Sequence, residues 1–454
     1  MGQSLNQPRN QPGPDTNKQA LAQMVWPLTA LAPIIYLIHS LVLYGLSNAP
    51  STGAFAMLGS WRIPSFYDLR WLLSFSACQG TLRELQSSNT LCHGYPWPGY
   101  PLLSMQIGRL VHLGPDDAGS IGILFGLAII AIVAHQVWLF SSSIRSWAII
   151  TSLILLSFPL QMLLERANLD AVIYALTSLL CLLLGVPGIF TYCLINFVVA
   201  IAVGLKVYPV FGIASWLALS ARSTALRRKY LWLNLSLIAT TCASLVIAFV
   251  SINANNLVAG MSGGLGSHGL KALGYINTTL IDALGINTAT IAIRGLVLCK
   301  GISFLIGILA ALLLFSYKFL PLKMLRHSKP ILKPYSALLL VVSTGTAIGC
   351  YLTSINYDYR LLFFMPILAA IAGALLDGVE IGSRIKKLYR FILLASVFIF
   401  SLPFLKLTSL SNGLVVLELF DEAMISPIAF GCLLGIWIKL VWNFDEWSEG
   451  SLTR

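Results

Sequence analysis

Apolar residues in this chain come in runs of about 20 positions, without a polar stripe recurring at helical spacing, and polar residues collect in the gaps between runs. Such runs are long enough to cross about 30 Å of hydrocarbon and too uniform for barrel strands, which alternate. Lipid offers no backbone partners, so each run must close its own hydrogen bonds as a helix. The pattern predicts spans near 25–46, 120–140, 147–163, 169–187, 189–204, 208–220, 230–251, 294–316, 335–354, 361–379, 391–405 and 424–442. The expected fold is therefore an all-α integral membrane protein of about 12 transmembrane helices. The pair over 189–220 is short and interrupted by LKVYPV, which reads either as broken or tilted helices or as two full crossings.

The gaps divide the chain. Residues 1–24 are polar and rich in Gln, Asn and Pro, a disordered tail, and the run after them is too long for a cleaved signal segment. The polytopic domain covers 25–442, with a long first loop at 47–119 expected to carry interfacial helices and a Gly-rich loop at 252–293; 443–454 form a second tail. No fixed-period repeat is evident.

Composition agrees: 57% of residues are hydrophobic, 10% are charged and the mean hydropathy is +0.82. The net charge of +12 needs no nucleic acid to explain it. With both tails placed in the cytosol, the cytosolic segments carry 17 of the 29 Lys and Arg and the outer segments 10, with Lys300 and Lys439 inside spans. The basic turns, such as ARSTALRRK and RIKKLYR, then lie against the anionic inner leaflet. The same orientation sends every other polar cluster to the outer face.

The first such cluster is SFYDLRWL, where Asp68 stands among aromatic residues beside Arg70. A partly desolvated carboxylate there is a stronger base toward a bound hydroxyl; the plainer reading is an interfacial helix that Asp68 caps. ERANLD packs Glu165, Arg166, Asn168 and Asp170 between two apolar runs. Arg166 and Asp170 have the i, i+4 spacing of a mutual pair and Asn168 suits a cap, yet so many charges near a span also mark a polar cavity. LKVYPV offers Lys206 and Tyr208 at a helix break, as a phosphate ligand or as a snorkelling lysine. NYDYR offers Tyr357, Asp358 and Arg360, either to grip a phosphate and stack on a sugar or as an interfacial belt with an Asp358–Arg360 contact.

Tyr95 and Tyr100 in the first loop join the candidate substrate contacts, and His268 in the Gly-rich loop is a candidate partner to a base. Cys78 and Cys92 share the first loop and form a candidate disulfide if the compartment is oxidising. No His/Cys spacing suits zinc, and no cofactor is expected, although a metal ion beside the carboxylates stays open. The Gly-rich loop lacks a nucleotide-binding pattern and reads as a mobile cover over substrate.

Taken in order, DLR after an aromatic pair, GYP late in the first loop, ERANLD opening a span, LKVYP and NYDYRL resemble the polytopic GT-C glycosyltransferases. The likeness is to glycosyltransferase family 87, relatives of the polyprenyl-phosphate-mannose-dependent mannosyltransferases; that family usually has Gly where this chain has Ala167. The resemblance implies an enzyme of a bacterial plasma membrane with its site facing outward. It would move mannose or another hexose or pentose from a polyprenyl-phosphate donor to a lipid or glycan acceptor. The acidic residue of the first outer loop, Asp68 here, would serve as general base in a single inverting displacement, with Lys206, Arg166 and Arg360 meeting the leaving phosphate. Implied partners are membrane lipids, the lipid-linked donor and the acceptor; oligomeric state stays open. The competing class is a transporter or flippase, which predicts charges near the bilayer midplane and inverted repeats, and a structural subunit without chemistry is the third.

Overall fold

The computed structural model describes residues 25, 31–43, 46, 66–77, 103, 112–186, 188–251, 267–268, 289–315, 332–353, 356–377, 382–407 and 420–444. Predicted features at Cys78, Cys92, Tyr95 and Tyr100 lie outside them.

Helices dominate the described chain. They are α1 (Leu31–Leu43), α2 (Tyr67–Ala77), α3 (Ala118–Leu139), α4 (Ile144–Leu155), α5 (Phe158–Arg166), α6 (Asp170–Leu184), α7 (Ile189–Leu205) and α8 (Val210–Arg222). After these come α9 (Thr224–Lys229), α10 (Leu231–Ser251), α11 (Ala289–Leu314), α12 (Leu332–Thr353), α13 (Met365–Leu376), α14 (Ser383–Leu407) and α15 (Ser426–Trp442). Five of the described helical stretches are long and apolar enough to cross a membrane, and shorter apolar helices such as α6, α7 and α8 pack among them. Large apolar side chains, among them Leu124, Phe197, Trp232 and Leu313, point outward from the bundle, as they do in a helical membrane protein. The bundle has a centre: 94% of the apolar window of α12 is buried, against 22% for α11.

The expected span over 147–163 is not one continuous helix. It is two helices, and the axes of Ile144–Leu155 and Pro159–Arg166 differ by 57°. Pro159 lacks an N–H and cannot continue the α4 ladder, Ser157 takes an extended backbone (φ −69°, ψ 144°), and the Ser157 hydroxyl donates to the Ile154 carbonyl at 2.6 Å. The bend carries the polar end of α5 inward. The break at LKVYPV is as the sequence suggests, with α7 and α8 as separate short helices on either side.

Small residues set one close backbone-to-backbone helix contact. α11 and α15 run parallel with Gly307 and Ala311 facing Gly431 and Gly435; a Cβ on Gly431 would stand 2.1 Å from the Phe304 carbonyl oxygen, and one on Gly307 2.2 Å from that of Ile428. Without a hydrophobic drive between helices in lipid, such backbone approach and interhelical hydrogen bonds supply the cohesion. Trp216 donates to Asn234 Oδ1 at 2.9 Å, Asn234 to Ser220 at 2.6 Å, and Gln136 to Ser178 at 2.8 Å.

One addition to the all-helical expectation is a two-residue antiparallel ladder, β1 (Ser267–His268) with β2 (Asn356–Tyr357), in which His268 stands opposite Asn356. Its backbone ladder joins Ser267–His268 of the Gly-rich loop to the NYDYR segment. At the far ends of the helices that leave this region, Asp377 after α13 accepts from Ser142 N and Ser143 Oγ, both at 2.9 Å, and Arg222 ending α8 lies 4.8 Å from the Trp442 ring centre.

Candidate functional site

Asp68 enters the bundle because the chain turns sharply just before it. Phe66 adopts φ 54°, its N–H donates to the Glu165 carbonyl at 3.1 Å, and its carbonyl accepts from Arg70 N at 2.9 Å. Helix α2 therefore starts against the end of α5, with Asp68 in its first turn, where the helix dipole favours an anion. Arg70 reaches the other way, donating to the Pro115 carbonyl at 3.2 Å, which ties α2 to the 3-10 turn Pro115–Asp117.

The ERANLD stretch is not a continuous helix. Ala167 closes α5 in the left-handed region (φ 44°, ψ 47°), and α6 begins at Asp170. Asn168 Oδ1 accepts from Asp170 N at 3.0 Å, a side-chain turn two residues long; the N-cap position is Leu169, so the capping role expected of Asn168 is corrected to a turn just before the helix. Left-handed backbone costs an L-residue about 1–2 kcal/mol and glycine far less.

Four distant segments converge here. Arg166 Nη2 lies 3.0 Å from Asp68 Oδ1, and Asn168 Nδ2 donates to Asp68 Oδ2 at 2.5 Å. Lys206, in extended backbone at the end of α7, places Nζ 3.1 Å from Asp170 Oδ1 and 3.4 Å from Asn168 Oδ1. Tyr208 donates its hydroxyl to Asp170 Oδ1 at 2.7 Å, and Arg360 Nε lies 3.3 Å from Asp170 Oδ2 while its guanidinium carbon sits 5.1 Å from the Tyr208 ring centre. Asn168 thus links a group centred on Asp68 to one centred on Asp170. Asp68, Asn168, Asp170, Glu165 and Lys206 are all buried, with Asp170 only 1% exposed.

Charges removed from water this far persist only when paired and hydrogen-bonded. Asp170 meets that condition with two cations and a phenol, and the group of Asp170, Lys206 and Arg360 holds one positive charge in surplus. Among the described residues no group of three His, Cys, Asp or Glu is placed to hold a metal ion.

Three of the plainer sequence readings are corrected. Arg166 and Asp170 do not serve as an i, i+4 pair: the left-handed Ala167 puts them on different helices, and each takes a partner from elsewhere in the chain. Lys206 does not snorkel but is buried on Asp170. Asp68 does not cap α2 from outside, since it lies within the first turn. Arg360 reaches Asp170 from the 3-10 turn Asp358–Phe364; the side chains of Tyr357, Asp358 and His268 lie outside what the structure describes. Sequence reading did not single out Phe66 or Phe363. The Phe363 ring packs edge-on between Tyr174 and Tyr208, with centroids 5.4 and 5.7 Å away, and helps hold the Tyr208 hydroxyl on Asp170. Its place three residues after Arg360, within FF, was the available signal.

Compared with protein-family models, curated proteins and solved structures, the chain matches none of them.

Proposed function

We propose that the protein is a polytopic GT-C-type glycosyltransferase that moves a sugar, mannose or another hexose or pentose, from a polyprenyl-phosphate donor to a lipid or glycan acceptor. The observation that carries this reading is the convergence of the buried Asp68, Asn168, Asp170 and Lys206 with the partly buried Arg166 and Arg360 from four separate parts of the chain. In the proposed topology the chain crosses a bacterial plasma membrane twelve times, both tails are cytosolic, and this cluster faces outward. It meets the lipid-borne donor there.

In the proposed reaction, Asp68 takes the proton of the acceptor hydroxyl as its oxygen bonds to the anomeric carbon. The bond from that carbon to the phosphate oxygen breaks, and the phosphate leaves with the electron pair. A carboxylate offers about four acceptor positions, so Arg166 and Asn168 can fix its plane and leave room for the hydroxyl. The cationic surplus around Asp170 favours the departing phosphate, and Arg360 suits it as a planar donor. A positioned base contributes about 10²- to 10⁴-fold, and orientation with charge stabilisation supplies the rest.

A transporter or flippase is the competing class. Asp68→Asn separates them: transfer from a polyprenyl-phosphate sugar falls by at least about 10²-fold at normal abundance and insertion. Unchanged transfer overturns the assignment, and a product with retained configuration overturns the single displacement.

A further inference from the structure

We propose that Gly122 is a positioning residue for the Asp68 carboxylate, acting through the ring of Phe66. The Phe66 ring is fully buried and lies face-on against Gly122, so closely that a Cβ there would stand 2.5, 2.5 and 2.7 Å from Cγ, Cδ2 and Cδ1. Carbon atoms pack at about 3.5 Å, so a methyl group at 122 displaces the ring by about 1 Å. The ring has little freedom to yield sideways. Its own backbone is held at φ 54° by the hydrogen bond to the Glu165 carbonyl, in a region that bulky residues rarely adopt without external support.

The support also comes from α3, which carries the seat. One turn along the same helix, Gly126 seats Leu41 of α1, where a Cβ would stand 2.3 Å from Leu41 Cδ2. α1 and the start of α2 are thereby docked on one face of α3. Asp68 lies two residues beyond Phe66, at the near end of a rigid helix, and its contacts with Arg166 and Asn168 span 3.0 and 2.5 Å. Displacing the ring moves that carboxylate against partners fixed on a different segment. The consequence for catalysis rests on the proposed role of Asp68; the mechanical link does not.

Both parts are tested on the purified full-length protein. A double-mutant cycle with Asp68→Asn and Arg166→Gln, read by thermal unfolding, measures the coupling of the ion pair in the Gly122 and Gly122→Ala backgrounds. The coupling is expected to fall by about half or more in Gly122→Ala and to return when Phe66→Leu is added. With polyprenyl-phosphate mannose as donor, Gly122→Ala is expected to lower kcat by about 10²-fold with KM within about twofold, and the added Phe66→Leu to recover most of it. Unchanged coupling in Gly122→Ala overturns the proposal whatever the protein's activity. Lost coupling with no transfer in any variant, the wild type included, upholds the link and counts against the glycosyltransferase reading instead. Should Gly122→Ala yield no folded protein, the cycle is run on Phe66→Leu alone, which loosens the seat without adding atoms. Unchanged coupling there overturns it equally.

Discussion

Arg166 and Asp170 stand four positions apart in one six-residue run, yet Arg166 closes on Asp68 at 3.0 Å and Asp170 on Lys206 at 3.1 Å. The left-handed residue between them turns what reads as one self-paired helix face into the junction of two charge groups. Several measurable outcomes rest on that division.

Asp170 is a structural keystone before it is anything else. Asp170→Ala takes the carboxylate away from the buried Lys206 and the partly buried Arg360, a loss expected to cost about 3–5 kcal/mol. Lys206→Met recovers part of that loss when added to Asp170→Leu, because it removes one of the two cations on Asp170, and a buried ion pair and an apolar pair of similar volume are often close in energy. Thermal unfolding in detergent reads both, and equal stability of Asp170→Ala and wild type would contradict the buried pairing.

Ala167 carries strain that glycine relieves. Ala167→Gly is expected to raise stability by about 0.5–1 kcal/mol, the left-handed penalty less the added freedom of the unfolded chain. Ala167→Val is expected to lower it, since a β-branched residue is a genuine outlier at positive φ. Opposite signs for the two substitutions are the signature, and a destabilised glycine variant would argue against the left-handed turn.

Gly431 and Gly307 allow α15 and α11 to meet backbone to backbone. Gly431→Leu is expected to separate them and lower stability by about 3 kcal/mol, at the upper end for overpacking, whereas Gly431→Ala costs less because the helices can shift slightly. Thermal unfolding reads both variants, and unchanged stability in Gly431→Leu would show that the close approach is not needed.

Asp377 joins the turn before α4 to the end of α13 and lies away from the charge cluster. Asp377→Ala is expected to cost about 1 kcal/mol, the loss of a capping carboxylate, and to leave sugar transfer unchanged. Reporter fusions at positions 225 and 270 test the proposed orientation in parallel, and finding both on one side of the membrane would overturn it.

Arg360 and Lys206 divide the proposed phosphate contact between a planar fork and a point charge. Arg360→Lys keeps the charge but loses the fork, and is expected to reduce transfer about tenfold, within the range of a charged hydrogen bond. Expression unchanged with activity unchanged would remove Arg360 from the proposed site.

How much of this was legible in the sequence varies residue by residue. Long apolar runs announced a helical membrane protein because an apolar solvent leaves a chain few ways to satisfy its backbone. Polar clusters at the run boundaries marked Asp68, Arg166, Asn168, Asp170, Lys206, Tyr208 and Arg360, since each charge near lipid demands a reason. The LKVYPV break was visible too, because a proline a few residues into an apolar run often marks the start of a new helix, where its missing N–H costs least.

Which charge answers which was decided only by tertiary structure. Spacing favoured Arg166 with Asp170, but spacing governs pairing only on an unbroken helix, and a single left-handed residue between two helices removes that premise. The bend after Ser157, the seat of Phe66 on Gly122 and the reach of Arg360 to a carboxylate 190 positions earlier likewise depend on which helices pack together. Composition along the chain fixes the solvent a segment prefers; the partner of a buried charge is chosen by three-dimensional proximity, which one-dimensional order does not carry.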